Sequence, residues 1–167
     1  FSNKLGRLAQ GVGDHIKGTN IITFIQHSQV SPNKTPTYGR IVIDQKSLKT
    51  EPNRTRLTVS GDCIFYQHDC STPTADLPIV KMHLNSVVSI PTAWYATANI
   101  KNFYLNNPLP DPEYMWLPSN IIPAEIFQQY KLASFNSNGK IYIKIMKGMY
   151  GLPQAGKIAN NHLQWHL

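Results

Sequence analysis

Polar side chains at the end of one predicted strand are the first place in this sequence where chemistry could occur. Residues 93–100 form an apolar run suited to a buried strand, and Asn99 and Asn102 stand where this run gives way to Lys101. A carboxylate at such a strand end could hold Mg²⁺, a hard cation that prefers carboxylate oxygens. An amide oxygen can still coordinate a cation, but it brings no negative charge. The sequence therefore poses the question of why only amides occupy this position.

Basic side chains on predicted strands and turns offer a second kind of chemistry, contact with phosphate. Three runs rich in β-branched or aromatic residues predict strands at 21–26, 38–44 and 55–60, with turn-forming stretches between them. Two interpretations stay open: a solvated basic face, or a positively charged flap over a phosphate-bearing ligand. The basic residues of this region are Lys34, Arg40, Lys46, Lys49, Arg54 and Arg56.

The second half of the chain changes pattern. Apolar residues near helical spacing after Thr72 predict a helix, with Thr74 or Asp76 as its cap, before the strand at 93–100 and a turn in "LNNPLPDP". A short helix is predicted at 123–132, and alternating isoleucines in "GKIYIKIMKG" predict a half-buried strand. The segment "KIANNHLQWHL" then predicts a final helix. This order of strands and helices predicts an α+β fold.

Composition and charge narrow the class of protein. A chain of 167 residues with 41% apolar content is long enough for one domain with a real core. The formal charge of +7 favours a polyanionic partner such as nucleic acid, although general solubility would also explain it. No apolar run approaches the roughly 20 residues of a membrane span, and no signal segment opens the chain. These features predict a cytoplasmic or nuclear protein with no membrane partner, not a secreted one. Cys63 and Cys70 are expected to be isolated reduced thiols, because a zinc site needs four ligands at tighter spacing.

Three runs, taken in order, resemble one protein family. The first is "RTRLTVSGD" followed by "STPTADLPIVKMHLNSVVS", the second is "ATANIKNFYLNNPL" followed by "EYMWLP", and the third is "YIKIMKGMYGLPQAG". Their order, spacing and flanks are similar to those of the reverse transcriptase of copia-type long-terminal-repeat retrotransposons, over roughly residues 20–167. The resemblance implies templated DNA synthesis, with an RNA or DNA template–primer and deoxynucleoside triphosphates as partners.

The resemblance also implies an architecture. The family folds as a right hand of fingers, palm and thumb, and this chain would hold the fingers and the first half of the palm, an incomplete polymerase fold. Residues 1–20 would be an irregular N-terminal segment, 21–92 a fingers-like subdomain and 93–167 a partial palm subdomain. The Tyr-x-Asp-Asp turn of the family would lie beyond Leu167, in the remainder of a polyprotein if one exists.

Metal-binding roles follow from the same resemblance. The family transfers nucleotides with two Mg²⁺ ions, and Asn99 stands where its first catalytic aspartate belongs. The backbone carbonyl of Ile100 corresponds to an auxiliary ligand of the metal. Without the carboxylate, we expect no tightly bound Mg²⁺ in this chain, since two dications and a triphosphate would find no negative charge at Asn99.

Nucleotide and nucleic-acid contacts are likewise implied. Arg54 and Arg56 match the basic fingers strand that would grip the triphosphate, with Arg40 as the alternative in another register. Tyr104 matches the aromatic gate that excludes a ribose 2′-hydroxyl, and Gln154 would contact the incoming nucleotide. The residues expected to bind nucleic acid are Arg40, Lys144 and Lys147, the two lysines through template or primer phosphate.

The sequence therefore predicts a fragment of a reverse transcriptase that is inactive by itself. Two reasons support inactivity: Asn99 replaces the aspartate, and the 167 residues contain no Tyr-x-Asp-Asp turn. Two alternatives stay open. One is a non-enzymatic module that binds nucleic acid through its basic face, and the other is a decayed relic without a selected function.

Overall fold

The elements of the fold come from a computed structural model, which describes residues 1–45, 53–73 and 75–166, without the side chains of residues 53 and 54. The helices are α1 Ser2–Leu8, α2 Leu77–Ser89, α3 Ala124–Gln129 and α4 Ala155–His166. The strands are β1 Gly11–Val12, β2 Ile16–Lys17, β3 Ile22–Ile25, β4 Thr37–Gln45, β5 Asn53–Val59, β6 Pro108–Pro118 and β7 Lys140–Lys147. The predicted α+β class is confirmed.

A five-stranded mixed sheet in the order β3-β7-β6-β4-β5 is the centre of the molecule. β7 pairs antiparallel with both β3 and β6, β4 runs parallel to β6, and β5 is the antiparallel partner of β4 at one end of the sheet. The sheet takes strands from both predicted subdomains, β3 to β5 from one and β6 and β7 from the other. The division into fingers-like and palm subdomains stays a prediction.

The strand β7 forms as its alternating sequence predicts. Ile141, Ile143 and Ile145 are fully buried, while the intervening Tyr142 and Lys144 are half-buried on the opposite face. Successive side chains of a strand point to opposite faces, so the three isoleucines supply one continuous apolar stripe. The same hydrophobic core includes the buried residues Met115, Leu117, Ile126, Leu132 and Met149.

The N-terminal segment forms regular structure where the sequence predicts an irregular stretch. Helix α1 and the β1–β2 hairpin bury Leu5, Ala9 and Val12 completely. The hairpin and helix approach so closely that a Cβ on Gly18 would lie 2.2 Å from the carbonyl carbon of Gln10. The glycines that weaken the sequence pattern are therefore the residues that allow this close packing.

The prediction of a strand at 93–100 is wrong. These residues have no regular structure, and Trp94 within them is 93% exposed. Strand formation depends on packing against a neighbour as much as on propensity. The run contains three alanines, Ala93, Ala96 and Ala98, which offer little apolar area, and the position beside β7 is occupied by β6.

The strand β6 covers most of the stretch predicted as a turn. It begins at Pro108 inside "LNNPLPDP" and continues through "EYMWLP", where Met115 and Leu117 are fully buried. Proline cannot donate a ladder hydrogen bond, and the pairing with β7 is irregular between Pro108 and Glu113. The prediction of a turn is wrong because the buried second half of β6 holds the whole strand in the sheet. The prolines only make the pairing of its first half irregular.

The predicted helix after Thr72 is confirmed as α2, but its apolar side chains do not enter the core. None of its residues is buried, and Leu77, Met82 and Val88 are more than half exposed. Asp76 occupies the N-cap position without a side-chain cap bond, and the alternative cap, Thr74, lies outside the described residues. No helix in the part of the chain that the structure describes is both long enough and apolar enough to cross a membrane.

Candidate functional site

A cleft of about 600 Å³ lies where α1, β5, the segment after residue 98 and the turn after β7 meet. A smaller cavity of about 330 Å³ lies beside α3, lined in part by Ile122 and Phe127. The residues that line it are Lys4, Arg7, Leu8, Thr19, Ile21, Thr55, Arg56, Leu57, Asn99, Ile100, Lys101, Asn102, Leu105, Asn106 and Tyr150.

The lining of the cleft is strongly positive. Four basic side chains contribute to it, and no described lining residue is acidic; the four are Lys4, Arg7, Arg56 and Lys101. Three asparagine side chains add neutral hydrogen-bond donors and acceptors. A concave surface lined by one sign of charge raises the local concentration of counter-ions, so this cleft favours an anionic ligand.

Strand β5 positions Arg56 at the cleft. Leu57 and Val59 are each only 3% exposed and hold one face of the strand in the core. Because side chains alternate along a strand, Arg56 extends from the other face, opposite Val42 of β4, and is exposed. A guanidinium placed this way can donate paired hydrogen bonds to phosphate oxygens.

The turn after β7 carries Tyr150 into the same cleft. The backbone N–H of Val59 donates to the carbonyl oxygen of Tyr150 at 2.8 Å, which fixes the turn against the end of β5. Gly151 has φ +96°, and a Cβ there would lie 1.9 Å from the carbonyl oxygen of Val59. The turn can therefore take this position only with glycine at 151.

The segment that carries Asn99 and Ile100 is fixed at its C-terminal side. Asn102 adopts a left-handed conformation with φ 57°, and a 3₁₀ turn follows over Tyr104–Asn106. The backbone N–H of Gly148 donates to the carbonyl oxygen of Asn107 at 2.7 Å. The Tyr104 ring meets the Tyr150 ring edge-on, with centroids 5.7 Å apart. These contacts fix residues 104–107 against the turn after β7, a few positions after the exposed Asn99 and Ile100.

The cleft brings together some of the predicted site residues. Arg56, Asn99 and Ile100 line it, and Tyr104 contacts the lining residue Tyr150 without lining the cleft itself. The backbone of Arg54 pairs with Asp44 in the β4–β5 ladder, and its side chain lies outside the described residues. The predicted nucleotide contacts of these residues stay predictions.

Gln154 is not part of the cleft lining. It is 3% exposed, and its Nε2 donates to Oε1 of Glu113 at 3.1 Å. The same carboxylate oxygen accepts from Nζ of Lys34 at 2.7 Å. Gln154 therefore joins the turn before α4 to β6 through a buried polar contact.

The three remaining predicted nucleic-acid contacts also lie outside the lining. Arg40 donates to the Tyr38 hydroxyl, which raises the pKa of the Arg40 guanidinium, and it lies 3.7 Å from Asp62. Lys144 is half-buried in the middle of β7. Lys147 donates through Nζ to the carbonyl oxygen of Thr19 at 3.0 Å, next to the cleft. Arg40 and Lys147 each use a donor within the protein, whereas the Arg56 side chain makes no hydrogen bond or ion pair with any described residue.

The donors around Asn99 do not fit a Mg²⁺ site. The cleft offers the amide oxygen of Asn99 and the carbonyl of Ile100, both neutral, beside four cationic side chains. Mg²⁺ in proteins is held by carboxylates or by the phosphates of its substrate. Across the described residues, no group of three or more His, Cys, Asp or Glu side chains is placed to hold a metal ion.

Two basic residues of the cleft, Lys4 and Arg7, were not expected from the sequence. They are three residues apart on α1, so they share one face of that helix while Leu5 faces the core. The signal in the sequence is the spacing of Lys4 and Arg7 around Leu5 and Leu8, which the glycines downstream obscure. Tyr150 was likewise not expected, because its position depends on the docking of the turn on β5.

Comparisons of the chain with protein-family models, curated proteins and solved structures find no match. The assignment of a function therefore depends on the residues and on the cleft that they form.

Proposed function

We propose that this chain is part of a copia-type reverse transcriptase domain that binds phosphate-bearing ligands in its basic cleft but does not transfer nucleotides. One observation carries the proposal: each of the three runs that resemble the family contributes to the same cleft. Arg56 comes from the first run, Asn99 and Ile100 from the second, and Tyr150 from the third.

This convergence is not a consequence of proximity along the chain. More than forty residues separate Arg56 from Asn99, and about fifty separate Asn99 from Tyr150. Segments so distant in sequence meet only if the fold brings them together. A shared ligand site would require such a meeting, and unrelated surface motifs would not.

The chemistry of the cleft favours binding over catalysis. The guanidinium groups of Arg7 and Arg56 suit phosphate oxygens, and the asparagine amides can bond to sugar or base atoms. The same positive charge opposes a divalent cation at Asn99. In the family, nucleotidyl transfer relies on Mg²⁺ to stabilise charge in the transition state, and loss of such a stabiliser costs several kcal/mol.

The fingers-and-palm architecture, the template–primer and dNTP partners, and a cytoplasmic or nuclear location belong to this proposal. A polymerase fragment of this kind would meet its nucleic acid in those compartments. The deoxynucleotide preference would come from Tyr104, and the edge contact of its ring with Tyr150, a residue of the lining, supports this role.

Primer extension tests the absence of catalysis. The purified chain is incubated with a template–primer, dNTPs and either Mg²⁺ or Mn²⁺, beside the variant Asn99→Asp. We expect no extension by either protein, because a single carboxylate does not replace the Tyr-x-Asp-Asp acids that the 167 residues lack. The positive control is binding of the same template–primer, measured by gel shift. Template-dependent synthesis by the unmodified chain would overturn the claim of inactivity.

A second candidate function is a non-enzymatic nucleic-acid-binding module, which the absence of acidic residues from the described lining favours. The two candidates differ in their response to free nucleotides. A polymerase-derived cleft should bind a dNTP and should bind it better than the matching ribonucleotide, because of Tyr104. A module that recognises only the phosphate backbone should bind strands and show neither property.

A further inference from the structure

The last turns of α4 carry two histidines that the proposed function does not use. His162 and His166 are four residues apart in "HLQWH", and both are exposed. Residues at this spacing lie on the same face of an α-helix, one turn above the other. The helix therefore presents two imidazoles side by side to solvent.

The two rings meet through the nitrogens that could bind a metal ion. Their Nε2 atoms are 3.1 Å apart, and the ring centroids are 4.7 Å apart with the ring planes at 79°. Two rings pointing head-on at each other across 3.1 Å would have more distant centroids, since each ring would extend straight back from its Nε2. The rings thus meet at an angle, and an ion beside both nitrogens can contact both.

We propose that His162 and His166 form a bidentate site for a divalent transition-metal ion, with Cu²⁺ and Ni²⁺ as the preferred ions. Metal–imidazole bonds are about 2.0–2.1 Å long, so nitrogens 3.1 Å apart would subtend roughly 95–102° at a shared ion. That angle suits a bidentate site for several divalent ions, and the preference for Cu²⁺ and Ni²⁺ comes from the usual order of affinity of imidazole ligands for first-row metals. This site is independent of the basic cleft and of the proposed function.

The site is a binding site and not a catalytic one. Metalloproteases place two histidines at the same helical spacing, with a glutamate directly after the first as general base. Here Leu163 occupies that position. The described residues supply no group of three metal-binding side chains, so water would complete the coordination. Bridging the two imidazoles would also fix the last turns of α4.

Trp165 provides a local readout. Its ring centroid lies 5.0 Å from that of His166, and the side chain is 80% exposed. Cu²⁺ and Ni²⁺ quench a neighbouring indole, so occupancy of the pair can be followed by fluorescence. Because Trp94 and Trp116 also emit, the variant Trp165→Phe identifies the part of the signal that comes from Trp165.

The experiment titrates the full chain with NiCl₂ and, separately, CuCl₂ and ZnCl₂, and follows Trp fluorescence and calorimetric heat. We expect one saturable site with affinity in the order Cu²⁺ > Ni²⁺, and Zn²⁺ weaker than Cu²⁺. His162→Ala and His166→Ala should each weaken binding by about tenfold or more, because each removes one of two protein ligands. The matched control is His83→Ala, which removes an exposed helical histidine from α2 and should leave binding unchanged.

Circular dichroism checks that each histidine variant remains folded. Paramagnetic resonance of the Cu²⁺ complex should report two imidazole nitrogens in the wild type and one in either variant. The proposal is overturned if binding is not saturable, if His83→Ala weakens it as much as His162→Ala, or if both single variants bind as the wild type does. Such a result would leave the 3.1 Å contact as a simple N–H···N hydrogen bond between the two rings.

Discussion

At the scale of single residues, Gln154 is where the resemblance and the structure indicate different roles. The resemblance assigns it a contact with the incoming nucleotide, whereas its Nε2 donates to the buried carboxylate of Glu113. Glu113 is 5% exposed and depends on Gln154 and Lys34 for its hydrogen bonds. A buried charge is expensive unless its partners satisfy it, so Gln154 has a structural task whether or not it meets a ligand.

Replacement of Gln154 separates the two roles. We expect Gln154→Ala to lower the free energy of unfolding by about 1–3 kcal/mol, because it leaves Glu113 with one donor fewer. Urea unfolding at neutral pH measures this change, and a cooperative wild-type transition would also argue against a decayed relic. The matched control, Gln164→Ala, removes an exposed glutamine from α4 and should change stability little. Unchanged stability of Gln154→Ala with a loss of dNTP binding would favour the nucleotide role.

At the scale of elements, Tyr130 ties the N-terminal segment to the rest of the fold. Its hydroxyl donates to the carbonyl oxygen of Gly11 at 2.7 Å and accepts from the backbone N–H of Gln10 at 3.0 Å. Partial burial raises the pKa of Tyr130 above its usual range, against the smaller opposing effect of these backbone contacts. Helix α1, which carries Lys4 and Arg7 into the cleft, lies immediately before Gln10 and Gly11 in the chain.

The variant Tyr130→Phe should lower the free energy of unfolding by about 0.5–1.5 kcal/mol at neutral pH, through loss of these bonds. The raised pKa means that the folded state holds the phenol proton more tightly than the unfolded state does. This contribution is complete below about pH 10 and declines as the pH rises through the folded-state pKa. The difference from wild type should therefore shrink under alkaline conditions.

Urea unfolding at pH 7 and at several alkaline pH values measures both effects of Tyr130→Phe. Tyr66→Phe is the control, since the Tyr66 hydroxyl makes no hydrogen bond with any described residue and its ring meets that of His68 edge-on. A Tyr130→Phe protein with the stability of the wild type at pH 7 would mean that the N-terminal segment is held by its apolar contacts alone.

The elements differ in how far the sequence predicts them, and the reason is physical. The strand β7 is predictable because its isoleucines alternate, so one local pattern contains the whole signal. The strand β6 and residues 93–100 are not predictable in this way. Both have strand-like residues, but the first half of β6 contains prolines and residues 93–100 contain alanines. Tertiary packing decides which of the two segments pairs with β7 and so forms a strand.

The candidate site is predictable to a similar extent. Arg56 and Asn99 were identified from their residue types and flanks, and the cleft includes both. Lys4 and Arg7 were not, because their contribution depends on the way in which α1 folds back onto β5, a contact with no local signature. The burial of Gln154 could not be expected either, since its partner Glu113 lies 41 positions away.

At the scale of the whole molecule, the net charge of +7 and the basic lining of the cleft both favour the proposed polyanionic partner. Four of the basic side chains gather at one concavity, and Arg56 is held there by a strand that the core fixes on its other face. Counterion release from a polyanion would therefore be concentrated at the cleft. A uniformly solvated basic surface would instead spread the effect over all its charges.

The most direct test of a nucleic-acid site in the cleft is the binding of a fluorescent template–primer. Fluorescence anisotropy measures this binding over a range of salt concentrations. We predict saturable binding that weakens as salt rises. Arg56→Gln should weaken binding and reduce the slope of log K against log salt by about one, as expected for loss of one phosphate contact. Lys81→Gln, which removes one charge from α2 outside the cleft lining, should do neither. No binding at low salt, or identical behaviour of Arg56→Gln and Lys81→Gln, would contradict a nucleic-acid site in the cleft.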